Sequence, residues 1–115
     1  MKVNELMIGD WVLYNETHQQ ILEISGIDDE VYLEIDELVH QSEIQPIPLT
    51  TEILEKNGFV KESRENHGNN LQYCILTDGL WIDISGENFF EGKLEYVHQL
   101  QHALKLCGIE KEIEL

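Results

Sequence analysis

The chain reads as an α+β fold: a small SH3-like β-barrel-type unit over residues 1–46, then an αβββα unit over residues 47–115 whose C-terminal helix packs on an antiparallel sheet. Three observations predict it. Residues 94–107, LEYVHQLQHALKLC, place Leu94, Val97, Leu100, Ala103, Leu104 and Cys107 at steps of three and four, the spacing of one helical stripe, and Gly108 closes the run. The first 45 residues hold four or five short apolar runs between turn formers, with no helix of useful length. Between these patterns, Pro46 and Pro48 force extended backbone on the residues before them and remove two ladder donors, which marks a boundary. A length of 115 residues with 42% apolar content suffices for a real core in one compact domain or two very small ones.

The elements follow in order. Trp11 and Leu13 alternate with Val12 and Tyr14, so residues 10–14 form a strand apolar on both faces. A polar turn at residues 15–18 leads to a second strand over residues 20–25, and GIDDE at residues 26–30 reverses the chain again. Val31, Leu33 and Ile35 then alternate with Tyr32, Glu34 and Asp36, the pattern of a strand with one wet face. Residues 38–45 fit either short strands around a turn or one helical turn. In the second half, Thr50 is placed to cap a helix over residues 51–57, Leu49 and Leu54 to staple it, and Gly58 to end it. A three-stranded meander follows at residues 59–63, 71–76 and 80–84, with a long turn over residues 64–70 and a tight Asp78-Gly79 reversal. Gly92 is the expected N-cap of the last helix, with Glu95 at its third position, and Gly108 with Ile109 closes the helix against Leu104. The tail, residues 109–115, alternates imperfectly and is expected to add an edge strand.

Charge narrows the function classes. Asp and Glu number 23 against 7 Lys and Arg, a formal net of −16, and residues 3–55 carry 13 carboxylates with no Lys or Arg. Such a surface repels phosphates, which disfavours direct nucleic-acid binding and docking on anionic membranes and permits a basic protein partner. The N-terminal run is broken by Glu5 and Asp10 and has no small-residue cleavage site, so it does not read as a signal peptide, and no window reaches membrane-span length. Cys74 and Cys107 both sit in apolar patterns and read as buried thiols of a cytoplasmic protein, with a single disulfide between them as the alternative.

Three stretches, MKVNELMIGDWV, IPLTTEILEKNGF and YVHQLQ, span both halves. With them the chain resembles small proteins of Bacteroides-type gut bacteria and their mobile elements, a group with no assigned activity or cofactor. The resemblance implies a bacterial cytoplasmic setting and carries no catalytic residue over. It breaks after Gln101, where the group continues with Asn and bulky aromatics and this chain has His102, Ala103, Leu104 and Lys105, which argues against His102 as a shared ligand.

Few residues suggest chemistry. His98 and His102 lie at i, i+4 on the helix face opposite the core stripe, with Glu95 three residues before His98, the spacing of a helical zinc pair. Gln99 stands where a general-base Glu would be, and no third strong ligand is indicated, so two solvated or interdomain histidines are the plainer reading. Asp28, Asp29, Glu30, Glu34, Asp36 and Glu37 lack the alternating acids and glycine of a calcium loop and read as solvated hairpin residues. Neither cysteine has a histidine beside it in sequence, no serine sits in an elbow motif, and the glycines form no phosphate-binding loop. Trp81, Tyr73 and Tyr32 are strand aromatics suited either to anchoring a partner or to cross-strand packing. The reading that fits best is a non-enzymatic protein-interaction module without a cofactor. An acidic nucleic-acid mimic that inhibits a DNA-binding protein and a metal-dependent hydrolase using His98 and His102 are the alternatives from other classes.

Overall fold

The structure, a computed structural model, describes residues 1–63 and 68–115. The chain divides into two units, Met1–Ile47 and Pro48–Leu115, and the division falls inside the Pro46–Pro48 segment.

Tight reversals build the N-terminal unit. Strands β1 (Trp11–Tyr14), β2 (Thr17–Ser25), β3 (Glu30–Leu33) and β4 (Glu37–His40) form an antiparallel sheet in chain order. The β1–β2 loop is only Asn15 and Glu16, both at positive φ (48° and 62°), the pairing that matches the right-handed twist of a hairpin. Asp29 (φ 53°) and Asp36 (φ 68°) take the left-handed position in the next two loops, a conformation aspartate tolerates through local hydrogen bonding. The turn expected over residues 15–18 is therefore shorter, and β2 longer.

Strand β2 serves two neighbours. Residues 17–20 pair with β1, residues 21–25 pair with β3, and the register shifts between Ile21 and Glu23. An extra residue at Leu22 bends the strand and increases its twist, which lets both halves cover one core. That core comprises Val12, Ile21, Val31, Leu33, Val39 and Ile44, joined by Val3 and Leu6 from the N-terminal segment. In β1 only Val12 is buried, while Trp11, Leu13 and Tyr14 are half-buried, so the strand does not have the two buried faces its composition suggests. Residues 38–45 resolve into β4 and a 3-10 turn, Gln41–Glu43, after which Gln45 and Leu13 exchange two main-chain hydrogen bonds of 2.8 and 2.9 Å. This single rung flanks β1. Among the described residues no ladder joins β4 back to it, so the sheet is open where a barrel was expected.

The C-terminal unit starts at α1 (Thr51–Lys56). Thr50 Oγ1 accepts from Ile53 N–H at 3.2 Å, and Gly58 (φ 88°) ends the helix, with Phe59 N–H on Leu54 O at 2.9 Å and Gly58 N–H on Glu55 O at 3.2 Å. Cap, staple positions and left-handed terminator all match the sequence pattern. Strand β5 (Val60–Lys61) is shorter than the expected 59–63 and runs parallel to β6 (Leu71–Leu76). Of the turn expected over residues 64–70, residues 64–67 lie outside the described ones. Strands β7 (Gly79–Ser85) and β8 (Phe89–Leu94) continue antiparallel, giving the order β5-β6-β7-β8. The β6–β7 loop is Thr77 and Asp78, with Gly79 already paired.

The largest departures from the sequence expectation lie in this unit. Gly92 is not a helix cap but the middle of β8, paired with Ile82, and the ring of Phe90 lies over it where a Cβ would come within 3.2 Å. A side chain that covers a strand glycine compensates for the packing the glycine lacks. The last helix, α2, is Val97–Leu106 instead of residues 94–107, and Glu95 precedes it. The tail forms no strand: Asn57, at the end of α1, donates from Nδ2 to Glu114 O and accepts on Oδ1 from Glu114 N–H, both at 2.8 Å, and Ile113 is buried.

Helix α2 buries Val97, Leu100, Ala103 and Leu104, with Cys107 just beyond its end, and Tyr73, Ile82 and Ile84 of the sheet and Leu54 and Phe59 of the α1 segment are among the other buried apolar residues of the unit. Its C-terminus is held twice. Gly108 (φ 75°) with Ile109 N–H on Leu104 O closes the last turn, and the β7–β8 turn supplies Glu87 and Asn88 N–H groups to Cys107 O at 2.7 and 3.4 Å. Gly86 makes this second contact possible, because a Cβ there would stand 2.3 Å from that carbonyl oxygen. Gly86→Ala is expected to destabilise the protein by about 1–3 kcal/mol, the cost of forcing the turn from the helix end. Equilibrium urea unfolding checks it, and a loss below about 0.5 kcal/mol, the scale of an ordinary surface change, would show the approach to be unimportant.

Candidate interaction surface

Alternation along β2, β3 and β4 sorts the N-terminal sheet into two faces. Ile24, Val31 and Val39 form one row pointing into the core, and Glu23, Tyr32 and Leu38 form the row beside it on the outer face. The next outer row is Ser25, Glu30 and His40. Tyr32 is half-buried and Leu38 is 59% exposed, an apolar pair facing solvent between Glu23 and Glu30. Glu34 lies at the β3–β4 loop, where its carboxylate accepts from Gln20 N–H at 3.2 Å. Within residues 1–47 there are eleven carboxylates and Lys2 is the one basic residue besides histidine. Among the described residues no Lys or Arg pairs with Glu23, Glu30 or Glu34.

A hydrogen bond to Glu37, then desolvation, then the charges of Glu37 and Glu43 hold the Tyr14 phenol pKa above the ordinary 10.0. One acid of the unit is structural: Asp10 is buried, and its Oδ2 accepts from Met7 N–H at 2.8 Å, closing the turn before β1. A pocket of about 330 Å³ opens in the same unit beside Lys2, Ile24, Asp29 and Gln41, and it contains none of the residues expected to carry chemistry.

In the C-terminal sheet, Trp81 lies on the face away from Ile82 and Ile84, between Cys74 and Lys93, and is 36% exposed. Lys93 forms an ion pair with Asp78, which lowers the Asp78 pKa below its ordinary 3.8. Tyr73 points the other way. Its hydroxyl donates to Glu55 Oε1 at 2.5 Å, and that bond, with burial, raises the phenol pKa above 10.0. It is a core residue and not a partner anchor.

The histidines differ from the expectation. His98 is 4% exposed, stacked on Tyr96 with ring centroids 5.9 Å apart and planes at 12°, and it meets His102 edge to face at 5.7 Å. His102 is half-buried. A helical stripe tells which face enters the core but not what covers the flank, and here Tyr96, immediately before the helix, covers it. Glu95 lies outside the helix, so its i−3 relation to His98 is not a helical one. Its backbone is committed instead: Glu95 N–H donates to Gln99 Oε1 at 2.9 Å, and Leu49 N–H donates to Glu95 O at 2.9 Å. Gln99 also accepts from Tyr96 N–H at 3.1 Å, so the residue at the general-base position of a zinc-protease motif caps the start of α2. Among the described residues no group of three or more His, Cys, Asp or Glu side chains is arranged to hold a metal ion. Both cysteines are free; Cys107 is buried, which pushes its thiol pKa above 9.0, and Cys74 is half-buried on the Trp81 face, not a core thiol. No helix of the described residues is long and apolar enough to cross a membrane.

Stability separates these positions. Leu100→Ala is expected to cost about 2–5 kcal/mol through lost transfer energy and a cavity. His98→Ala should cost more than His102→Ala by about 1 kcal/mol or more, since only His98 is fully enclosed. Urea unfolding of the three variants tests the ranking, and equal losses at the two histidines would contradict the burial difference. Comparison with family models, with curated proteins and with solved structures finds no match to this chain.

Proposed function

We propose that this protein is a non-enzymatic interaction module whose N-terminal unit takes a basic segment of another protein on the outer face of β3 and β4. The observation that carries this reading is the outward-facing pair of half-buried Tyr32 and exposed Leu38, set among Glu23, Glu30 and Glu34 in a unit almost without cations. An amphipathic basic segment would bury its apolar side chains on that pair and place ammonium or guanidinium groups on the carboxylates, whose charges have no cation to release first. The same charge disfavours phosphate ligands, whether nucleic acid or anionic lipid.

The SH3-like reading of the unit is supported by the bent β2 shared between two ladders and by the 3-10 turn that brings Gln45 beside β1. Two free cysteines fit a reducing compartment, which supports a cytoplasmic setting.

Calorimetric titration of the full chain with a synthetic Lys- and Leu-rich amphipathic peptide tests the reading. Affinity is expected to fall about tenfold or more as salt rises from low to physiological ionic strength, and again in the double variant Glu23→Lys, Glu30→Lys. A control of equal net charge, Glu110→Lys with Glu112→Lys in the exposed tail, should leave affinity within about twofold of wild type at physiological salt. Equal weakening by both pairs would reduce the binding to net charge and remove the proposed face.

A further inference from the structure

Strand β8 ends its sheet, and hydrogen bonds elsewhere fix which of its main-chain groups face outward. Ser85 N–H donates to Asn70 O on the β6 side, so the odd-numbered residues of β7 face β6 and Leu80, Ile82 and Ile84 face β8. Their partners Leu94, Gly92 and Phe90 direct their amides inward. Phe89, Glu91 and Lys93 therefore direct N–H and C=O away from the sheet. Glu95, next in the same series, confirms the sense, because its carbonyl accepts from Leu49 N–H on the outer side.

Unpaired sheet edges are usually blunted by a proline, a bulge or a covering side chain. In the N-terminal unit the edge strand β4 has such a device, since the Glu43 carboxylate takes the outward N–H of His40 at 3.2 Å. Over residues 89–93 strand β8 has no proline, bulge or covering side chain: its pairing with β7 is regular, and Phe89 (79% exposed), Glu91 and Lys93 are open to solvent, so its protection is charge alone, and that charge is of both signs.

We propose that this edge pairs with the same edge of a second copy of the chain, antiparallel about a two-fold axis at Gly92. The charge pattern selects that register. With Gly92 opposite Gly92, Glu91 of each copy lies directly across from Lys93 of the other, and both are residues whose main-chain groups point outward, as a hydrogen-bonded pair requires. A shift by two residues puts Glu91 opposite Glu91 or Lys93 opposite Lys93. Lys93 exchanges its exposed partner Asp78 for Glu91, which is also exposed, so the ion pairs set the register while the main-chain hydrogen bonds supply the attraction. In this register Phe89 falls opposite Glu95 of the other copy, whose outer carbonyl Leu49 already holds, so the ladder is confined to residues 91–93; so short an edge buries less than a permanent dimer needs, and the association is weak and concentration-dependent.

Sedimentation equilibrium at physiological ionic strength, from about 10 μM to about 1 mM, reads it directly. The wild-type average mass should rise from 13.4 kDa toward twice that value. Glu91→Lys alone and Lys93→Glu alone should each remain monomeric, while the double exchange, which keeps the wild-type net charge, should associate again. An equimolar mixture of the two single variants should form a mixed dimer. Asp78→Asn, which removes the existing ion pair and leaves the edge intact, should associate as wild type does. A wild type that stays at 13.4 kDa throughout, as expected if the edge takes a strand from a different protein, overturns the proposal. So does a folded double exchange that stays monomeric, or single variants that associate unmixed.

Discussion

The approach of Gly86 to the carbonyl of Cys107 is the constraint on which the C-terminal unit depends. It lets the β7–β8 turn donate two N–H groups to the end of α2, so the helix and the sheet it covers are joined by main chain as well as by apolar contact. With that end fixed and Gln99 closing the other, the stripe from Val97 to Cys107 is buried, as are Ile82 and Ile84, and Cys107 Sγ lies 4.0 Å from Ile84 O. The opposite face of the sheet is then left with Cys74, Trp81 and Lys93, and the outer edge of β8 with its free main-chain groups.

Much of this is legible in the sequence where the signal is local. The cap at Thr50, the terminators Gly58 and Gly108, and the core stripe of α2 are all set by residues within one or two turns of each other, and the structure has each of them. Strand β8 escapes a sequence reading because a glycine after two phenylalanines resembles a helix start. The alternation of Phe89, Glu91 and Lys93 with Phe90, Gly92 and Leu94 is present but outweighed by the helical pattern beyond it. The tail misleads for a different reason: its partner is the side chain of Asn57, 57 residues away in sequence, and no periodicity announces such a contact. Barrel closure is illegible on similar grounds, since pairing of the chain after β4 with β1 is long-range, a single rung between Gln45 and Leu13, and alternation does not encode it.

The candidate residues divide on the same line. Tyr32 sits on an outward row, as its alternation implies, but the neighbour that makes it a surface of interest, Leu38, is brought opposite it by pairing alone. His98 and His102 do lie together on α2, yet Tyr96 encloses the first, Glu95 is outside the helix, and Gln99 is occupied with capping. What the molecule offers for recognition is sheet surface and charge: a wet apolar pair among carboxylates in one unit and an open strand edge in the other.

Amide-resolved NMR of the full chain, titrated with a Lys- and Leu-rich amphipathic peptide, locates the face that takes a basic segment. The largest shifts are expected on Glu23, residues 30–33 and residues 37–40, with α2 and the residues around Trp81 unmoved. Shifts concentrated on α2 or on Trp81, with β3 and β4 silent, would contradict that placement.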